Sequence, residues 1–145
     1  MSSGILAALG ELMEARKEKE RKIQEIRRKV IASGVDPNEW ERLAMFRDTF
    51  NDQAGALAFY LTTATKTGDK EIAELGMKVA AFMSKTATRT EAVLAQAGVN
   101  NSELGLLGDL ADFRRRMAIA VKLFMRVMAG EDMSKLTANQ MMNGA

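Results

Sequence analysis

The chain has 145 residues, of which 47% are hydrophobic and 28% are charged, and its net charge is +2. This length suits one domain, and the composition is that of a folded protein rather than a disordered one. Cysteine and histidine are both missing. Their absence excludes disulfides, thiolate metal sites, cysteine nucleophiles and the commonest general base. We therefore expect a single helical domain over residues 1–145.

Four long segments carry apolar residues at helical spacing. The first covers residues 4–32, and the other three form a core within residues 37–129. A weak point in the second segment falls at Asn51 and Asp52, which are poor residues for a helix interior. The turns are short, so neighbouring helices should be antiparallel. We predict an all-α antiparallel bundle of about four long helices, followed by a short C-terminal helix or tail over residues 131–145.

The signals that begin and end these helices are clear. Asp36 suits an N-cap, Pro37 stands where its missing N–H is harmless, and Glu39 occupies the capping-box position. Gly68 can adopt the left-handed conformation that ends a helix, and Asp69 can cap the next one. These residues predict helix starts close to positions 37 and 70.

The first segment is divided by a charged section. An apolar face in its first half consists of Ile5, Leu6, Leu9, Leu12 and Met13. Residues 16–22 are then seven charged residues in a row, followed by Ile23, Ile26 and Val30. A helix that is polar all round projects into solvent or contacts something other than an apolar core. We therefore interpret residues 4–32 as a protruding helical arm, which completes the bundle, reaches a neighbouring molecule, or does both.

Apolar residues at both ends of the chain are the predicted protein interface. Eleven methionines are many for this length, and methionine serves both as a core filler and as a residue of adaptable binding surfaces. Near the C-terminus such residues have no obvious helix to pack on. The predicted interface residues are Ile5, Leu6, Leu9 and Met13 at one end, and Met133, Leu136, Met141 and Met142 at the other.

Two basic clusters are candidates for nucleic-acid contact. One consists of Arg27, Arg28 and Lys29, and the other of Arg114, Arg115 and Arg116. Three consecutive basic residues spread over most of a helix circumference, so at least one of each cluster faces outward or meets a carboxylate. The low net charge and the interspersed acidic residues favour a solvated or salt-bridged face over phosphate binding.

Carboxylate pairs are the remaining candidates for catalysis. The pairs spaced by three residues are Asp109 with Asp112, Glu71 with Glu74, and Glu11 with Glu14. Each lies near a helix start, where carboxylates are favoured by the helix dipole, and basic residues follow closely. We predict no catalytic residue, no metal, no cofactor and no small-molecule substrate, and hence no enzyme.

The expected function is that of a structural or assembly protein, a subunit of a multi-copy complex such as a phage particle or a secretion filament. Its partners would be other proteins or further copies of itself. One alternative is a nucleic-acid-associated subunit of a ribonucleoprotein or packaging complex. Another is a small inhibitor or chaperone that binds one protein. No signal peptide and no membrane span are recognised, so we expect a cytoplasmic protein or a component of a virion or other assembled particle.

Overall fold

The computed structural model describes residues 3–100, 110–137, 139 and 140, without the side chains of residues 47, 48, 50 and 51. Four helices account for most of this part: α1 (Ser3–Ala32), α2 (Pro37–Thr67), α3 (Lys70–Gln96) and α4 (Leu110–Met128). The regular structure of the described residues is entirely α-helical, which confirms the all-α prediction. The backbone of α2 continues through Asn51 and Asp52, so the weak point does not interrupt the helix.

The predicted caps form where the sequence placed them. The Asp36 carboxylate accepts a hydrogen bond from the Asn38 backbone N–H at 2.7 Å. Asp69 likewise accepts from the first backbone N–H groups of α3. Gly68 has φ +71°, and its N–H donates to the Ala64 carbonyl at the end of α2. These bonds satisfy terminal backbone groups that have no partner within their own helix.

Contacts between helices establish an antiparallel order for α2, α3 and α4. Phe46 of α2 meets Phe82 of α3, with ring centroids 4.9 Å apart. Earlier in α3, Gly76 faces Phe124 of α4, whereas Glu91, later in α3, pairs with Arg114 near the start of α4. Successive helices therefore run in opposite directions, and α4 is parallel to α2.

The closest packing lies between α3 and α4. A Cβ atom on Gly76 would collide with the Phe124 ring, which is fully buried. A glycine at this position lets the aromatic ring lie directly against the helix backbone. The buried core also includes Ala73 and Ala80, next to Gly76 along α3, and Leu123 of α4. Small residues on α3 and large ones on α4 thus bring the two helices close together.

Helix α1 is divided between the core and solvent. Its C-terminal part buries Ile26 and Val30, and the Gln96 side chain donates to the Ser33 carbonyl at 2.7 Å just after the helix ends. Every residue from 3 to 22 is exposed. We call residues 3–22 the distal half of α1. It continues the same helix without a break but buries none of its side chains.

The chain after α4 corrects one prediction. Gly130 has φ +86° and ends the helix, as expected from the sequence. Residues 131–137 are not helical. Met133, predicted at a protein interface, is only 2% exposed and belongs to the core of its own chain. The turn after Gly130 directs the chain back over the end of the bundle, where Met133 lies with Thr65 and Val127.

Candidate functional site

The distal half of α1 exposes a row of large apolar side chains. Ile5, Leu6, Leu9, Leu12 and Met13 are between 49% and 65% exposed. Together we call these five residues the α1 stripe. Single exposed apolar residues are common on protein surfaces, but a contiguous row of them marks a binding surface. Four of its members, Ile5, Leu6, Leu9 and Met13, are residues predicted at a protein interface, and all four are exposed.

The stripe lies on the same side of α1 as the residues that enter the core. Ile5 and Ile26 are three heptads apart, and so are Leu9 and Val30. An α-helix drifts by about 20° per heptad, hence by roughly 60° over three. The side of α1 that packs against its own core therefore continues into the distal half, where it meets no described residue.

Charged residues hold the middle of α1 helical without packing. Arg21 links two successive turns, because its guanidinium lies 2.6 Å from the Glu25 carboxylate and its Nε donates to Glu18 at 3.1 Å. The hydrogen bond from Arg21 lowers the pKa of Glu18 below its ordinary value. Lys17 pairs with Glu14 at 3.6 Å in the turn before. Such pairs support an isolated helix, which explains how a solvated section can join the stripe to the core.

Three ion pairs form a belt at one end of the bundle. The pairs are Arg27 with Glu41 at 2.8 Å, Arg89 with Glu39 at 2.8 Å, and Arg114 with Glu91 at 3.3 Å. They join α1 to α2, α2 to α3, and α3 to α4. Glu39, predicted at a capping-box position, thus reaches across to α3. One arginine from each predicted basic cluster serves in this ion-pair belt.

Two of the other four residues predicted to contact nucleic acid also meet carboxylates. Arg115 and Arg116 both pair with Asp112, at 2.9 and 2.8 Å. Hydrogen bonding from Arg115, supported by the charge of Arg116, lowers the pKa of Asp112. Arg28 and Lys29 are exposed on α1, and no ion pair is found for either of them among the described residues. A phosphate group at Arg115 or Arg116 would compete with Asp112 for the guanidinium donors.

An apolar groove lies open between α2 and α4. These helices pack less extensively than α3 and α4, and the groove has a volume of about 200 Å³. Its lining consists of Ala54, Leu57, Ala58 and Leu61 from α2, and Arg116, Met117, Ile119, Ala120 and Leu123 from α4. Arg116 is the one charged residue among them. We call this the α2–α4 groove. It was not predicted from the sequence.

A second apolar surface was also missed. Leu75 and Phe82 of α3 are 49% and 42% exposed, and Phe82 contacts Phe46 of α2. Elsewhere on α2, Met45 and Phe59 are even more exposed. The helical spacing of Leu75 and Phe82 suggested core positions, because periodicity identifies an apolar face without saying whether another helix covers it.

The predicted C-terminal interface is only partly described. Leu136 is partly buried and packs against the core, beside the fully buried Met133. Met141 and Met142 lie outside the described residues, as do Gly105 and Gly108. The structure therefore separates the two predicted interface regions: the N-terminal one is exposed, and the described part of the C-terminal one packs against its own chain.

Comparisons with family models, curated proteins and solved structures find no match. No described helix combines the length and apolar character needed to cross a membrane. The functional interpretation of the chain rests on its own geometry.

Proposed function

We propose that this chain is a non-catalytic assembly subunit, which joins other protein molecules in a multi-copy complex through the distal half of α1. The observation that carries the proposal is the exposure of the whole α1 stripe on a continuous helix. Leaving five large apolar side chains in water is unfavourable by roughly 1.5–3 kcal/mol for each one that could be fully buried. A partner that covers the stripe recovers this energy.

The charged middle of α1 supports the same proposal. Its ion pairs keep the distal half helical while it is unbound, so less conformational entropy is lost on binding. A preformed amphipathic helix is a recurrent way of binding an apolar groove on another protein. The ion-pair belt anchors the other end of α1 to the bundle. The chain thus combines a packed helical core with a projecting binding element.

The nucleic-acid alternative has less support. Four of its six predicted contact residues, Arg27 and Arg114 to Arg116, already contact carboxylates of this chain. Each phosphate contact there would compete with an existing ion pair. The exposed stripe, by contrast, has no described partner.

Light scattering coupled to size-exclusion chromatography tests the proposal over a concentration series. We expect the chain to form species larger than a monomer as its concentration rises. The double variant Leu9→Gln/Leu12→Gln should remain monomeric, because it removes apolar surface from the stripe without adding charge. The matched control Ala7→Gln/Ala15→Gln alters exposed positions away from the stripe in the same part of α1, again without adding charge, and should associate like the parent chain.

Circular dichroism of both variants checks that α1 remains helical. Association that is unchanged by the stripe substitutions would contradict the proposal. A parent chain that stays monomeric at millimolar concentration would also contradict it, unless a separate protein captured on the stripe is released by the same Leu9 and Leu12 substitutions.

A further inference from the structure

We propose that the α2–α4 groove binds the α1 stripe of a second copy of this chain, so that two copies exchange their distal halves in a symmetric dimer. The inference deepens the proposed function and rests on it. It identifies both the occupant of the groove and the surface that covers the stripe.

The dimensions of the two surfaces agree. The stripe extends from Ile5 to Met13, about 12 Å along a helix at roughly 1.5 Å per residue. The groove is lined from Ala54 to Leu61 on α2 and from Arg116 to Leu123 on α4, which is about 10.5 Å along each helix at the same rise. Both therefore span about two helical turns. Alanine at positions 54, 58 and 120 leaves room for the leucine side chains of an incoming helix.

The position of the groove in the bundle also suits a fourth helix. Its lining comes from α2 and α4 only, although α3 packs against both of these helices. A helix in this place would complete a four-helix bundle, and in the structure the place is open.

The distal half of the same chain is poorly placed to fill its own groove. Helix α1 continues without a break from Ser3 to Ala32, and Ile26 and Val30 fix its C-terminal part in the core. Bending it back would break the helix near residue 21, where Arg21 bridges Glu18 and Glu25. A second copy can offer the same contacts without that break. Exchange of an identical element between protomers is a low-cost route to a closed dimer.

Disulfide trapping between two differently labelled chains tests the exchange, because the parent chain has no cysteine. One chain carries Ala8→Cys, beside the stripe, and the other carries Ala58→Cys, in the groove. On mixing under mild oxidation we expect a covalent heterodimer. It should form about tenfold faster or more than with Ala7→Cys, on the opposite side of the helix, because a bound pair holds its thiols at effective concentrations near the millimolar range.

Two further cysteine variants show whether the groove assignment, the exchange between copies or the proposed function is wrong. Efficient trapping with Leu75→Cys in place of Ala58→Cys would place the stripe on the exposed apolar face of α3 and overturn the groove assignment, leaving the proposed function intact. A disulfide within single chains of the double variant Ala8→Cys/Ala58→Cys would show that each groove is filled by its own α1, which overturns the exchange. Slow trapping at both sites, in a chain whose association still requires Leu9 and Leu12, would overturn the groove but not the proposed function.

Discussion

The α3–α4 pair and the distal half of α1 are made of the same kind of helix, with apolar residues spaced by threes and fours. In α3 and α4 these residues face each other, and Gly76 lets the Phe124 ring lie against the backbone. In α1 the same pattern meets no described surface, and its side chains stay exposed. The comparison shows that apolar spacing defines a face, whereas burial depends on what the rest of the chain places opposite it.

The largest expected difference between the two regions is in their contribution to stability. Phe124→Ala should lower the free energy of unfolding by about 3–5 kcal/mol, because it removes a fully buried ring and leaves a cavity. Leu12→Ala in the distal half should change it by less than about 0.5 kcal/mol when the chain is dilute enough to be monomeric. Urea denaturation of both variants measures this. Equal losses would mean that the distal half packs on its own core in solution.

Replacing glycine by alanine should lower the stability of the chain at a packed position and raise it at an open one. Gly76→Ala should destabilise the chain by about 1–3 kcal/mol, because the new methyl group collides with Phe124. Gly55→Ala, on the exposed side of α2 with no atom near the added group, should stabilise it by up to about 1 kcal/mol through helix propensity. Thermal unfolding of the two variants would refute the close α3–α4 approach if Gly76→Ala were also stabilising.

The ion-pair belt should matter less than the core. Arg89→Gln breaks the pair with Glu39 and should reduce stability by about 0.2–1 kcal/mol, because both side chains are partly exposed to water. Arg21→Gln in α1 should leave global unfolding unchanged and weaken only the helicity of the distal half. Urea denaturation measures the first effect, and amide hydrogen exchange of residues 3–22 measures the second. A large global effect of Arg21→Gln would link the distal half to the core.

The smallest effect concerns pH. The pKa of Asp112 is lowered in the folded chain by its hydrogen bond from Arg115 and by the nearby charge of Arg116. Its contribution to stability is therefore present above the unfolded pKa and is lost as pH falls through the folded pKa. Below about pH 4, the ordinary aspartate range, the Asp112→Asn variant should lose slightly less stability with falling pH than the parent chain does. Thermal unfolding midpoints of the parent chain and the variant at neutral and acid pH measure this difference, and high salt should reduce it.

Much of the fold was predictable from short-range signals. Asp36, Pro37, Gly68 and Asp69 mark helix ends through backbone geometry and hydrogen bonds within a few residues, so the sequence identifies them directly. The α1 stripe was predictable for the same reason, as was the charged section that separates it from the core. Met133 was placed wrongly, because its burial depends on the turn after Gly130 and on the distant end of α2.

The sequence by itself determined the helices, their caps and the apolar faces of the helices, because these depend on residues close together along the chain. Only the tertiary structure decided which faces are covered. It placed Arg27 of the first basic cluster and all three arginines of the second against carboxylates, opened the groove between α2 and α4, and left the stripe of α1 exposed. Each of these outcomes depends on residues far apart in sequence, whose distances are set by the packing of whole helices.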